Sequence, residues 1–341
     1  MDTKIGIVGM GDGGLSNLRG LQNVAHVVAM CDPDASKDEH IRNESNVSIC
    51  RDLSSMLEAY PTIDVVIIAT PDNDHLAPTQ QALEQGARVF VEKPLATTRE
   101  DLAAFGALNQ KHPGKILFSE KYSFATPINA LLEHSKHLGA FMWGSTSYTM
   151  SNCNRIMGGG KWRTEHAYNP CSGGLSHNFM TTLLFSGSPI VRVRATGRVL
   201  TYTDLNAYGG YDTMEGTLEF ANGRRLSWNV CLAATKDVSP FGHRTVTHTL
   251  QFENGSLAYG PNENQVRLAD MTRSVAEPEA QYWRHYNIEM YRRMHMDLLT
   301  SIRDTRAPRH TAEHGLNVAW ACLLAFESAK LEGHWLKLPS P

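Results

Sequence analysis

The sequence predicts an α/β chain: a doubly wound parallel sheet at the N-terminus, then an α+β domain on an open, mostly antiparallel sheet. Three observations predict it. Over the first 120 residues, short apolar runs alternate with amphipathic helical stretches, the pattern of successive βαβ units. From about residue 141 the hydrophobic period shifts to two, as in half-buried strands. Ala221-Asn-Gly223 and Glu253-Asn-Gly255 read as hairpin turns between such strands.

Taken in order, the first domain should carry strands at 4–8, 26–31, 64–69, 88–91 and 115–118. Helices are expected at 13–22, 52–58, 74–85 and 99–111, with Asp74 as a cap for the third. The unbroken apolar run after Asp64 marks a buried central strand, which Thr70 and Pro71 end at the carboxyl edge. The second domain should carry about six strands, at 141–150, 190–202, 213–220, 225–232, 244–252 and 256–259. A buried helix is expected near 174–185, and two helices, 284–304 and 311–332, close the chain. The expected domains are 1–120 and 121–341, with the closing helices free to pack back on the first.

Composition narrows the function. A length of 341 residues suffices for two domains with their own cores. A net charge of −3 without a basic run gives no signature of a polyanion partner, so nucleic acid is not expected as a main partner. No apolar stretch approaches the roughly 20 residues that span a bilayer, and the chain enters a core strand at once, leaving no room for a signal peptide. Six scattered cysteines, with no C-x-x-C, read as reduced thiols of a cytoplasmic protein. Despite fifteen histidines, no metal site is expected.

Residues 4–32 carry the strongest signal. An apolar strand ends in Gly9-Met10-Gly11-Asp12-Gly13-Gly14; a helix, a second apolar run and Asp32 follow. This is the layout of a Rossmann dinucleotide site. Gly9 permits the tight turn, Gly11 lets the backbone approach a pyrophosphate, and Gly14 lets the helix pack on the strand. The helix N-terminus offers free N–H groups to the phosphates. Asp32, about twenty residues on, is placed to accept the ribose hydroxyls. A carboxylate there repels a 2′-phosphate, and Pro33-Asp34-Ala35 supplies no arginine, so NAD is favoured over NADP; Lys37 is near enough to swing in.

Three further segments complete a pattern: Ala69-Thr-Pro-Asp-Asn-Asp-His75, Val89-Phe-Val-Glu-Lys-Pro-Leu95, and Trp162-Arg163 followed by Ser172-Gly-Gly174. With the glycine turn, they make the chain resemble the glucose–fructose oxidoreductase / inositol dehydrogenase / rhizopine-catabolism (Gfo/Idh/MocA) family over essentially its whole length. The resemblance implies NAD(P)-dependent oxidation or reduction of one hydroxyl of a sugar, cyclitol or sugar derivative, and a homodimer or homotetramer paired through the open sheet. It places Thr70, Pro71, Asn73 and His75 along the cofactor's ribose and nicotinamide, with His75 a helix-start residue rather than a catalyst. It sets Glu92 and Lys93 beside the nicotinamide, where Lys93 hydrogen-bonds the reacting hydroxyl and takes part in proton transfer. Lys121 is implied at the cofactor and, with Tyr122, on the substrate side.

The resemblance breaks at one point. Family members carry an acid and then a histidine on the helix opened by the Gly-Gly pair. Here Asn178 and Thr182 occupy those positions, and Phe185 stands at a later aspartate position. Either another histidine serves, His177 being the candidate, or Lys93 acts alone. Asn178 and Thr182 remain expected substrate contacts, joined by Lys161, Trp162 and Arg163 in a polar, aromatic stretch suited to a polyol. Two other readings stay open: an enzyme that retains NAD and catalyses epimerisation or elimination without net redox, and a non-catalytic sensor of NAD and sugar.

Overall fold

The computed structural model describes residues 3–151, 170–234, 244–259, 265–268, 271–274 and 283–339. The chain divides into two compact units, Met1–Lys121 with His285–Leu316, and Tyr122–Arg284 with Asn317–Pro341.

The first unit holds a six-stranded sheet: β1 (Lys4–Val8), β2 (His26–Cys31), β3 (Ser48–Cys50), β4 (Val65–Ile68), β5 (Arg88–Val91) and β6 (Ile116–Phe118). The order is β3-β2-β1-β4-β5-β6 and every pairing is parallel. That order reverses between β1 and β4, and ligands of such sheets bind outside the carboxyl ends at this switch point. Residues Val65 to Ile68 and Val89 to Val91 are buried, as their unbroken apolar runs require of strands covered on both faces. The connections include α1 (Asp12–Leu21), α2 (Asp38–Glu44), α3 (Leu53–Ala59), α4 (Leu76–Glu84) and α5 (Arg99–Lys111). Asp52 caps α3 and Thr98 caps α5 by accepting from backbone N–H groups in the first turn.

The second unit contains α6 (Thr126–Ser135), then β7 (Phe141–Ser151), α7 (Pro170–Ser186) and β8 (Ile190–Arg198). Strands β9 (Thr213–Phe220), β10 (Arg225–Ala234), β11 (Arg244–Phe252) and β12 (Gly255–Tyr259) follow. With β13 (Gln265–Leu268), β14 (Met271–Ser274) and β15 (Leu336–Lys337) they form a sheet ordered β14-β13-β12-β11-β7-β10-β9-β8-β15. It is antiparallel apart from the parallel pair β7–β10. The apolar helix α7 covers one face: Phe179 packs on Trp228 with ring centres 5.2 Å apart, and Phe185 on His248 at 6.2 Å. On the other face Arg192, Arg194 and Arg225 surround the Trp335 ring.

Two long helices, α8 (Trp283–Arg303) and α9 (Ala312–Lys330), lie near the C-terminus. In the first unit α8 packs on α1 and β5. Gly20 leaves room for Tyr291, since a Cβ there would lie 2.6 Å from the Tyr291 Cβ. The His295 ring lies 5.3 Å from that of Phe90.

Several elements depart from expectation. The second sheet has nine strands among the described residues rather than about six, because β13, β14 and β15 are four residues or shorter. The short β3 and the polar α2, as well as α6, were not anticipated. The strand expected over 190–202 stops at Arg198, because the buried Asp212 carboxylate accepts the N–H groups of Leu200, Thr201 and Tyr202 and bends the chain away. The helix expected from 174 begins at Pro170, a favoured first-turn residue. Asp74 is not a cap: His75 occupies the N-cap position of α4 without a side-chain cap bond, and the Asp74 carbonyl accepts from Thr70 Oγ1.

Candidate active site

The first unit gathers its expected residues along one edge of the parallel sheet. The glycine turn follows β1, Asp32 follows β2, Thr70 to His75 follow β4, Glu92 and Lys93 follow β5, and Lys121 lies just beyond β6.

The glycine turn is shaped by contacts that forbid side chains. Gly9 has φ +99°, and a Cβ there would sit 2.4 Å from the Ala69 carbonyl oxygen. A Cβ on Gly14 would lie 1.9 Å from the Gly9 carbonyl oxygen. Gly11 differs: it is the N-cap of α1, and a Cβ on it would meet no protein atom within 4 Å. The space before the positive end of α1 is therefore open, and a dinucleotide pyrophosphate placed there would meet the free N–H groups of the first turn. Met10, Asp12 and Gly13 complete the turn.

Asp32 is held by three donors. Its Oδ2 accepts from Met10 N–H at 2.8 Å and from Lys37 Nζ at 2.8 Å; its Oδ1 accepts from Asp34 N–H at 3.0 Å. The first bond ties the acid directly to the glycine turn. Lys37 reaches back because it ends a 3-10 turn, Ala35–Lys37, that Asp34 caps.

The two remaining loops are fastened together. His75 is buried, with Nδ1 2.9 Å from the Pro94 carbonyl oxygen and Nε2 3.1 Å from that of Thr70. It thus bridges the Thr70–Pro71–Asn73 loop to the segment that carries Lys93, and both its ring nitrogens face backbone. Glu92 is buried; its Oε1 accepts from Asn17 Nδ2 at 2.9 Å, and Asn17 also donates to the Gly13 carbonyl. Asn17 therefore links the glycine turn to the Glu92-Lys93-Pro94 corner. Sequence reasoning missed it, although a polar residue one turn after Gly13, on the buried side of α1, was the available signal. Lys93 itself is half-buried at the end of β5. The Lys121 ammonium lies 4.6 Å from the Tyr291 ring centre and 3.5 Å from its hydroxyl oxygen, so α8 helps place it.

In the second unit, Tyr122 and His177 meet with ring centres 4.2 Å apart, and Tyr148 lies 6.3 Å from His177. Gly174 makes this possible, since a Cβ there would press 2.7 Å from the Tyr148 ring. Asn178 and Ser176 are buried, and neither the Asn178 amide nor the Ser176 hydroxyl has a hydrogen-bond partner among the described residues. Thr182 is different: its hydroxyl donates to the Phe179 carbonyl at 3.1 Å, within its own helix. Lys161, Trp162 and Arg163 lie outside the described residues.

Burial fixes the charge state of three other histidines. Desolvation lowers the His248 pKa to about 4 and those of His295 and His310 to about 3. The expectation of a metal-free chain leaves out His310 and His314, which stand four residues apart. Among the described residues, no group of three or more metal-ligating side chains comes together there or elsewhere. No helix among them is long and apolar enough to cross a membrane.

Residues 3–120 match the GFO_IDH_MocA model, an oxidoreductase family with an NAD-binding Rossmann fold. The chain is 26% identical over 247 residues to 1-carboxy-3-chloro-3,4-dihydroxycyclohexa-1,5-diene dehydrogenase of Comamonas testosteroni, covering 70% of this chain and 58% of that protein. It is 36% identical over 109 residues to inositol 2-dehydrogenase/D-chiro-inositol 3-dehydrogenase of Lacticaseibacillus casei, covering 29% of this chain and 30% of that one. The match thus spans less than two thirds of either relative. In fold, the chain resembles scyllo-inositol dehydrogenase of Lactobacillus casei, solved with NAD(H) and scyllo-inositol, with a TM-score of 0.77 at 19% identity over 99% of both chains.

Proposed function

The chain belongs to the Gfo/Idh/MocA oxidoreductase family, and from that premise we propose that it is an NAD-dependent dehydrogenase of a hydroxyl-bearing carbon in a cyclitol, sugar or sugar derivative. The observation that carries this reading is the single sheet edge that collects the open Gly11 cradle, the oriented Asp32 and Lys93. The family and two of its dehydrogenases supply the chemistry; the particular substrate is our extrapolation.

In this reading, the turn from Gly9 to Gly14 holds the pyrophosphate and Asp32 accepts a ribose hydroxyl. Thr70, Pro71, Asn73 and the His75 bridge shape the wall toward the nicotinamide. A bound nicotinamide supplies hydride transfer at its C4. Lys93 binds the substrate hydroxyl and draws off its proton as the carbon is oxidised. Glu92, anchored by Asn17, sets the backbone from which Lys93 projects. Lys121 and Tyr122 contact the substrate side, with Lys161, Trp162 and Arg163. The unpartnered amide of Asn178 is a ready partner for a substrate hydroxyl, because a buried amide without a bond is costly unless a ligand satisfies it. His177, or a bound water, takes that same proton on from Lys93. The open sheet joins copies into a homodimer or homotetramer, and the protein works in the cytoplasm.

One observation favours a second reading. The Thr182 hydroxyl, at the position of the family histidine, is bonded into its own helix and so is not poised for proton transfer. An enzyme that keeps its NAD and returns the hydride after epimerisation or elimination would show tightly bound cofactor and no net NADH.

The test is Lys93→Met. It should lower kcat on an oxidised cyclitol or sugar by about 100-fold or more, the range for losing a general acid–base group, while the NADH Kd stays within about threefold. Wild-type turnover in the variant would sink the assignment.

A further inference from the structure

We propose that Lys37 determines cofactor selectivity, giving this chain measurable affinity for a 2′-phosphorylated dinucleotide beside its preference for NAD. The inference rests on the dinucleotide reading of the sheet edge, and goes beyond it by assigning a residue for the adenosine ribose end.

A bare carboxylate after β2 repels a 2′-phosphate. Asp32 is not bare. Its side chain is 7% exposed, and its charge is matched by the Lys37 ammonium at 2.8 Å. Met10 N–H and Asp34 N–H also bond this carboxylate and spread its charge further. The pair is close to neutral, so the repulsion that enforces strict NAD use is weakened.

Lys37 also offers a positive contact. Its side chain is 36% exposed, so part of it is open to solvent. An ammonium has three donors. Asp32 takes one, and the Asp34 carboxylate, at 3.9 Å, lies beyond hydrogen-bond distance. A 2′-phosphate beside Asp32 would take the others in charge-assisted bonds. Asp34 keeps the local balance negative, which is why NAD stays ahead. The same ammonium has little to gain from an uncharged 2′-hydroxyl, so its removal should separate the two cofactors.

The experiment is titration of the purified protein with NADH and with NADPH, read by nucleotide fluorescence without substrate. Wild type, Lys37→Ala and Lys37→Arg are compared at low and high salt. The wild type should bind both nucleotides, NADH more tightly. Lys37→Ala should weaken NADPH by about tenfold or more, as expected for loss of a charge-assisted bond, and NADH by less than about threefold. The NADPH loss should shrink in high salt, and Lys37→Arg should restore most of it. Equal losses for both nucleotides would show that Lys37 merely holds Asp32, and would overturn the proposal. So would an unchanged ratio, or a wild type that takes NADH and not NADPH. Binding of neither nucleotide would overturn it together with the dinucleotide reading; the other failures leave that reading standing. Retained NADH affinity reports that each variant is folded.

Discussion

At the residue scale, the glycine turn separates packing from ligand binding. Gly14 and Gly9 are excluded from substitution by the protein itself, with built Cβ contacts of 1.9 and 2.4 Å. Gly11 has no such neighbour. Gly11→Ala should therefore leave stability within about 1 kcal/mol, the usual cost of alanine at an N-cap. It should still weaken NADH binding by at least about tenfold, because the methyl group enters the space before α1. Thermal melting and nucleotide titration on one sample decide this: full NADH affinity would mean that the space does not take the pyrophosphate. The same contrast shows what was legible. Each glycine in the motif is visible in the sequence, and so is its spacing from Asp32. The Asn17 amide on Glu92 is not, because that bond joins residues 75 positions apart that only the folded sheet edge brings together.

At the element scale, the boundaries read from apolar periodicity match where burial alone decides them. Strands 4–8, 26–31 and 88–91 and the helix 99–111 have the bounds expected of them. The periodic signal fails where one polar group overrides it. The stretch 190–202 alternates well enough to continue as a strand, yet buried Asp212 draws three successive N–H groups to itself and takes a further bond from the Thr213 hydroxyl. Asp212→Ala strands those donors and should destabilise by about 2–4 kcal/mol, since bonds to a charged acceptor contribute about 1.5–3 kcal/mol each and neighbouring water recovers part. Asp212→Asn should recover part of the loss. Equal urea midpoints for wild type and Asp212→Ala would show that this carboxylate does not hold the corner. In α7 the limit is different: the sequence marks a helix with the wrong residues for the family's acid and histidine, but only the structure shows that Thr182 is bonded inward while Asn178 is left unpartnered.

At the scale of the whole molecule, buried neutral histidines tie stability to pH in both units. His295 and His310 belong to the first unit and His248 to the second. Desolvation holds them neutral, with pKa values of about 3 for His295 and His310 and about 4 for His248. An unfolded histidine titrates near 6.5, about where its ordinary value lies. Below that pH the unfolded chain binds protons that the folded chain refuses, so stability falls as pH falls and is fully present only above about 6.5. Each such histidine contributes up to about 1.4 kcal/mol per pH unit between about 6.5 and its folded value. Three together approach about 4 kcal/mol per unit, against a typical total of about 5–15 kcal/mol. Carboxylates with lowered pKa, such as Glu219 beside Arg192 and Arg225, add to the loss only at lower pH. His295 offers a clean test, because neither ring nitrogen has a hydrogen-bond partner among the described residues and the Phe90 and Tyr291 rings lie beside it. His295→Leu removes no bond, so at pH 8 its urea midpoint should lie near that of wild type. As pH falls from 7 to 5 the wild type should lose stability faster, and the variant should pull ahead by about 1–2 kcal/mol. A gap independent of pH would show that His295 takes up its proton in the folded chain as readily as in the unfolded one.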